Sequence, residues 1–228
     1  MGFQIQNDLP TIELKLMEAF KKLLGVDVKI YASGRTDRFV HAKGQVFHVD
    51  LEQYVPPVGL KKGLNSYLPD DIYIRDCMQV EDDFHSRFGA KSKEYNYLIN
   101  TKEYNPITAR YMPFIYGLDT DKMKEALKLL EGTHDFRGFA SSSIDPRKDT
   151  VKTIYEASLD VHEDFLVFKF VGTGFLKYQI RRMMGLIIEI GRGKEDVSMV
   201  TKVLEAKDPS ISHKVAEGRG LYLIKVEY

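Results

Sequence analysis

Ser33-Gly34-Arg35-Thr36-Asp37-Arg38-Phe39-Val40-His41-Ala42-Lys43-Gly44-Gln45-Val46 is the stretch that organises this chain. An arginine, a threonine and a carboxylate follow a glycine turn, and a histidine comes close behind. The residues before it, Val26 to Tyr31, alternate as a strand does, with Val26, Val28 and Ile30 on one face. Gly44 to Leu51 alternates in the same way. The pattern predicts a loop held between two strands, with Asp37 on it, where a scaffold can aim a carboxylate. Spacing alone also allows Asp37 to be a turn or cap residue.

The chain has 228 residues, 43% of them hydrophobic and 29% charged. That suffices for a real core and a charged surface, in one large domain or two small ones. Lys+Arg and Asp+Glu both number 33, so the formal charge is zero. A general nucleic-acid binder is usually basic, so binding to a polyanion would need local patches. Cys77 is the single cysteine, which rules out an internal disulfide and a cysteine-based metal site. That fits a reducing cytoplasm. No apolar run is long enough to span a membrane, and the start shows no signal-peptide pattern.

Outward from the loop, Ile12, Leu14, Leu16, Met17, Phe20, Leu23 and Leu24 form a helical stripe, with Pro10-Thr11 and Glu13 suited to its start. Gly59–Leu68 suits a helix, closed by Pro69. Ile72–Val80 and Tyr95–Thr101 read as strands. A second unit follows after Asn105-Pro106. It has a helix over Thr120–Gly132 and strands over Lys152–Val161 and Phe165–Gly172. Helices over Leu176–Gly191 and Val197–Ala206 come next, then a last strand, Gly220–Tyr228. These elements predict an α+β fold with halves at residues 1–104 and 105–228, sharing a mostly antiparallel sheet.

The opening stretch resembles the signature loop of the tRNA pseudouridine synthase A family, roughly G-R-T-D-x-G-V-H-A-x-G-Q. Gly34, Arg35, Thr36, Asp37, Val40, His41, Ala42, Gly44 and Gln45 match it. Phe39 stands where that motif has glycine. A glycine there suggests a positive φ that would strain a bulky side chain; in ordinary geometry Phe39 would add an aromatic surface near an RNA. Phe84-His85-Ser86-Arg87-Phe88-Gly89-Ala90-Lys91-Ser92-Lys93-Glu94-Tyr95-Asn96-Tyr97 resembles the family's F-H-x-R-F-x-A-x-x-K/R-x-Y-x-Y segment. Phe175-Leu176 through Gly185 resembles F-L-x-x-x-V/I-R-x-x-x-G. Further likeness lies in Gly132–Phe139 and Gly220–Leu223, although Ala216-Glu217-Gly218-Arg219 lacks the family's proline. Gly2-Phe3-Gln4 resembles the end of a loop that follows the family's first strand, so that strand is expected to be missing from this chain. Its loss would expose a sheet edge.

The resemblance implies the pseudouridine synthase fold, two similar α/β halves with a central active-site cleft. It implies a homodimer acting on tRNA, on uridines 38, 39 and 40 of the anticodon stem-loop, with no cofactor and no metal. Asp37 falls on the nucleophile or base that acts on the uridine sugar, Arg181 on the catalytic arginine that keeps it ionised, and Tyr95 on the tyrosine that stacks on the flipped uracil. Arg35 would help displace the base, and Leu221 would line the uracil pocket. Arg87 and Lys93 suit phosphate contacts. His41 is either an RNA contact or a packed loop histidine. Without the resemblance, the tyrosines of Tyr95–Tyr97 read as sheet packing and Arg181 as a snorkelling surface residue. Two rival readings are a non-catalytic tRNA-binding protein on the same scaffold, and a nucleosidase. The second needs a partner carboxylate that no motif supplies.

Overall fold

The computed structural model describes residues 2–6, 9–145, 147–211 and 214–228. The chain divides into two compact units. One holds the residues up to Arg38, Gln45–Ala90 and Tyr228; the other holds Phe39–Gly44 and Lys91–Glu227.

In the first unit, α1 spans Ile12–Leu24. The Thr11 side chain caps its start by accepting from Leu14 N at 3.5 Å, and Gly25 ends it at φ 74°, a left-handed cap that glycine adopts without Cβ strain. Leu16, Ala19 and Phe20 are buried, packed in a cluster with Phe3, Val28, Ile30, Leu60, Leu64 and Ile74. β1 (Tyr31–Ala32) and β3 (Phe47–His48) form a two-stranded antiparallel pair, Tyr31 opposite His48. The alternation over Val26–Tyr31 and Gly44–Leu51 predicted longer strands. Val28 and Ile30 are indeed buried, but Val26 is exposed, and the ladder covers only two residues on each side.

The next helix, α2, runs over Pro57–Asn65; it starts two residues before the predicted Gly59, because Pro57 fits a first helical turn that needs no N–H. Ile72–Val80 is not a strand. Its buried anchor, Ile74, is held by the amide of Asn65 instead: Ile74 N donates to Asn65 Oδ1 at 2.8 Å, and Asn65 Nδ2 donates to Ile74 O at 2.9 Å. A side chain here does what a neighbouring strand would do.

The second unit contains a six-stranded sheet. Its strands are β2 (His41–Ala42), β4 (Ser92–Asn100), β5 (Gly132–Asp135), β6 (Val151–Val161), β7 (Phe165–Gly172) and β8 (Leu221–Glu227), in the order β2-β8-β4-β7-β6-β5. Only β2 with β8 is parallel. The sheet is therefore mostly antiparallel, as expected, and all six strands belong to this unit. Tyr97, Ile99, Phe168 and Phe170 are wholly buried, paired across strands as Tyr97↔Phe168 and Tyr95↔Phe170.

Helices α3 (Thr120–Lys128), α4 (Gln179–Gly191) and α5 (Met199–Ala206) complete this core. Most of α4 is buried, including Ile180, Met183, Leu186, Ile187 and Ile190, as a helix apolar on most sides must be. It begins at Gln179 rather than the predicted Leu176, because Tyr178 adopts φ 67° and ψ 0°, which no right-handed helix can include. Gln179 Oε1 then accepts from Leu176 N at 2.8 Å. Among the described residues no helix is long and apolar enough to cross a membrane.

Replacing Asn65 by alanine strands the N–H and C=O of buried Ile74, at a cost of about 1–2 kcal/mol. In a protein of this size that lowers Tm by several degrees. Thermal unfolding of Asn65→Ala checks it; an unchanged Tm would show that the amide clamp contributes nothing.

Candidate active site

In the first unit the Asp37 loop is fastened by polar bonds. Ser33 N donates to Val46 O at 2.8 Å, and Ser33 Oγ donates to Gln45 Oε1 at 2.7 Å. Gln45 Nε2 donates to Gly34 O at 2.7 Å. One glutamine amide thus ties both sides of the loop. On the far side Phe3 N donates to Thr36 O at 3.1 Å, while Phe3 O accepts from Glu13 N at 3.0 Å. The opening residues therefore sit between the start of α1 and the loop. Ser33 and Thr36 are buried and Asp37 is half-buried; Arg35 and Arg38 are exposed. The expectation for Phe39 is decided here: its φ is 66°, the conformation that the motif glycine foretells.

The same unit carries an aromatic and histidine cluster that sequence reading missed. The His48 ring stacks on Tyr31 with centroids 4.7 Å apart, and His85 lies 4.8 Å from His48. His48 Nδ1 is 2.9 Å from Ser86 Oγ, and Tyr228 OH donates to Ser86 O at 2.7 Å. Histidines at 48 and 85 stand 37 residues apart in the chain, so no local pattern could announce the cluster. Burial, followed by the charge of His85, lowers the His48 pKa. Arg87 is exposed beside this cluster, 5.7 Å from the Phe88 ring centroid.

In the second unit Tyr95 lies on β4 at a register shift between Glu94 and Tyr95 in the ladder with β8. Such bulges re-aim a side chain. Tyr95 is half-buried and meets Phe175 edge-on at 5.4 Å. Lys93, two residues earlier, is also half-buried. Arg181 is on α4. Its Nε donates to Ala216 O at 2.7 Å, Ala216 N donates back to Arg181 O at 2.9 Å, and its guanidinium is 5.2 Å from the Tyr178 ring centroid. It is no snorkelling surface residue; the loop that lacks the family's proline is pinned to it.

Tyr97 reinforces that loop, its OH donating to Glu217 O at 3.0 Å; burial raises the phenol's pKa far above the ordinary value. Gly185, one turn beyond Arg181, makes the arrangement possible. A Cβ there would overlap Lys214 O. Gly44 serves likewise: a Cβ would overlap Ile224 O, where Lys43 N donates to Leu223 O at 2.8 Å. Arg182 donates from Nη1 to Pro209 O at 2.8 Å, and burial lowers its pKa.

Leu221 begins β8, is 6% exposed, and lies opposite Tyr97. His41 stacks on Tyr222 at 4.7 Å and stands 5.6 Å from Tyr111. Burial lowers its pKa, outweighing the backbone of Arg110 and Arg219. Of the sequence-derived residues, Asp37, Arg35 and Arg87 thus belong to the first unit, and Tyr95, Lys93, Arg181, Leu221 and His41 to the second. Among the described residues no group of three His, Cys, Asp or Glu could hold a metal ion.

Residues 126–228 match the family model described as tRNA pseudouridine synthase. Over 230 aligned residues the chain is 41% identical to tRNA pseudouridine synthase A of a Geobacillus species, covering 100% of this chain and 92% of the relative. The chain belongs to the tRNA pseudouridine synthase A family. The enzyme of that name from an Exiguobacterium species is 42% identical, with 100% and 92% covered, and that from Ligilactobacillus salivarius is 41% identical, with 100% and 91% covered. Membership makes this chain an isomerase of the pseudouridine synthase class, with the mixed α/β fold that class has.

Two measurements probe this family member's site. Gly185→Ala forces Lys214 and the loop behind it off α4, costing about 1–3 kcal/mol; denaturant unfolding should show that loss together with reduced turnover. His41 reports its own packing. The unfolded chain takes a proton near pH 6.5, before the folded ring does, so stability falls as pH drops through that value. His41→Gln should flatten part of that fall in melts between about pH 7 and 5.5.

Proposed function

We propose that this chain converts uridine to pseudouridine at nucleotides 38, 39 and 40 of the tRNA anticodon stem-loop, with Asp37 acting on the sugar. The observation that carries the reading is the fastened loop: a half-buried carboxylate follows exposed Arg35 in a chain 41% identical to tRNA pseudouridine synthase A of a Geobacillus species.

The chemistry needs little else. The N1–C1′ bond breaks, C5 of the rotated uracil bonds to C1′, C5 loses its proton and N1 gains one. Atoms and electrons balance within the substrate, so no redox partner or cofactor enters. Bond cleavage places positive charge at C1′, which a nearby carboxylate stabilises or traps. A covalent adduct at Asp37 and deprotonation of the sugar both use that same group. Water must be kept out, or the nucleoside is merely hydrolysed.

Arg35, exposed two residues before Asp37, takes the place of the extruded base. Tyr95 offers its half-buried ring to the uracil, braced edge-on by Phe175, and Leu221 lines the same pocket. Arg181 supplies the cation that keeps Asp37 ionised. Arg87 and Lys93 meet phosphates, and His41 supports the RNA side from its stack on Tyr222. The same reading has a homodimer working on tRNA in the cytoplasm.

Tritium release from tRNA labelled at uridine C5 tests the proposal. Wild-type protein should release it, and Asp37→Asn should abolish release while binding tRNA as before. Wild-type-like release by Asp37→Asn would sink the role given to that carboxylate. Binding without any release by the wild type would favour a tRNA-binding protein on this scaffold.

A further inference from the structure

The turn that opens α4 departs from an ordinary helix start in three ways. Its N-cap, Tyr178, makes no side-chain cap hydrogen bond, although serine, threonine, aspartate or asparagine there would satisfy a first-turn N–H. The same residue sits at φ 67° and ψ 0°, where a bulky side chain strains the backbone. The third departure is charge. Arg181 is the third residue of the helix, and the first turn holds no acidic residue. Backbone dipoles already make that end positive.

The Tyr178 ring bears on all three. Its centroid lies 5.2 Å from the Arg181 guanidinium carbon, within reach of a cation–π contact, and the residue is half-buried. Lys177 Nζ lies 5.2 Å from the same centroid. The face of an aromatic ring is the negative side of its quadrupole. It therefore offers the first turn part of what a carboxylate would, without a formal charge that would claim the guanidinium as an ion pair. The side chain that makes no cap bond lies against the arginine instead. Arg181 Nε donates to Ala216 O at 2.7 Å. That bond fixes one point of the guanidinium, and contact with a ring limits rotation about it.

Resting on the role proposed above for Arg181, we propose that Tyr178 is a positioning residue for the isomerase reaction. Its ring holds the Arg181 guanidinium in one orientation, and it acts through that arginine.

Tyr178→Asn removes the ring and suits a left-handed N-cap. It should melt within a few degrees of wild type, and lower kcat about fivefold while KM for tRNA stays within about twofold. Tyr178→Phe keeps the ring and should keep kcat within about twofold of wild type. Wild-type kcat in Tyr178→Asn, or a Tyr178→Phe variant as slow as Tyr178→Asn, would overturn the positioning role. The contact itself is read without turnover, by denaturant unfolding of Tyr178→Asn, Arg181→Ala and the double variant. The double loss should fall short of the summed single losses; additive losses would overturn the contact. Tritium release by wild type and by Arg181→Ala is read separately. Wild-type-like release by Arg181→Ala would remove the role given to that arginine and this inference with it. A wild-type-like Tyr178→Asn beside an impaired Arg181→Ala would remove only this inference.

Discussion

The carbonyl oxygen of Lys214 occupies the space in which a side chain at position 185 would begin. That close approach governs the arginine helix. Because Gly185 has no Cβ, the segment before β8 can lie against α4, and Ala216 can exchange two hydrogen bonds with Arg181. Those bonds leave the guanidinium beside Tyr178 rather than loose in solvent. The helix itself has little freedom to adjust, since Met183, Leu186, Ile187 and Ile190 are all fully buried. Dense packing on one side and a backbone contact on the other define a single position for Arg181. The left-handed backbone at Tyr178 costs on the order of 1–3 kcal/mol. Burial of a few α4 side chains, roughly 2 kcal/mol each, offsets it.

The first unit reaches a comparable rigidity by other means. Its ladder joins Tyr31–Ala32 to Phe47–His48, too little to hold a loop by itself. Gln45 supplies the deficit, accepting from Ser33 and donating to Gly34. Each bond is worth about 1 kcal/mol net, but their value lies in geometry, because two contacts from one amide leave the loop few alternatives. On the proposed function, Gln45 is therefore a positioning residue for the Asp37 loop. The motif's length follows from this: the carboxylate needs its fastening within reach, and the chain supplies it eight residues later.

Elements whose signals were purely local were legible in the sequence. The stripe from Ile12 to Leu24 gave α1, and the alternation in Phe165–Gly172 coincides with β7. Elements decided by distant partners were not. Ile72–Val80 has strand-like residues, but Asn65 takes up the backbone of Ile74. The stripe through Leu176 continues into α4, yet Tyr178 turns left-handed one residue before the helix. As candidates, Asp37, Tyr95 and Arg181 stand out only through motif resemblance. Residue type alone favoured a turn aspartate, a packed tyrosine and a surface arginine. The His48, His85 and Tyr31 cluster left no trace in sequence, because its members come from separate segments.

A chain with equal numbers of acidic and basic residues has no long-range attraction to draw in a polyanion. On the proposed function, affinity must then come from contacts at short range, where screening by salt is weak. This favours side chains that act within van der Waals or hydrogen-bond distance over a diffuse positive field. It also changes what discriminates among RNAs. A strongly basic surface binds any phosphate backbone, and specificity must be added on top. A neutral surface binds only where several groups fit at once, so affinity and selectivity for a folded stem-loop arise from the same few contacts.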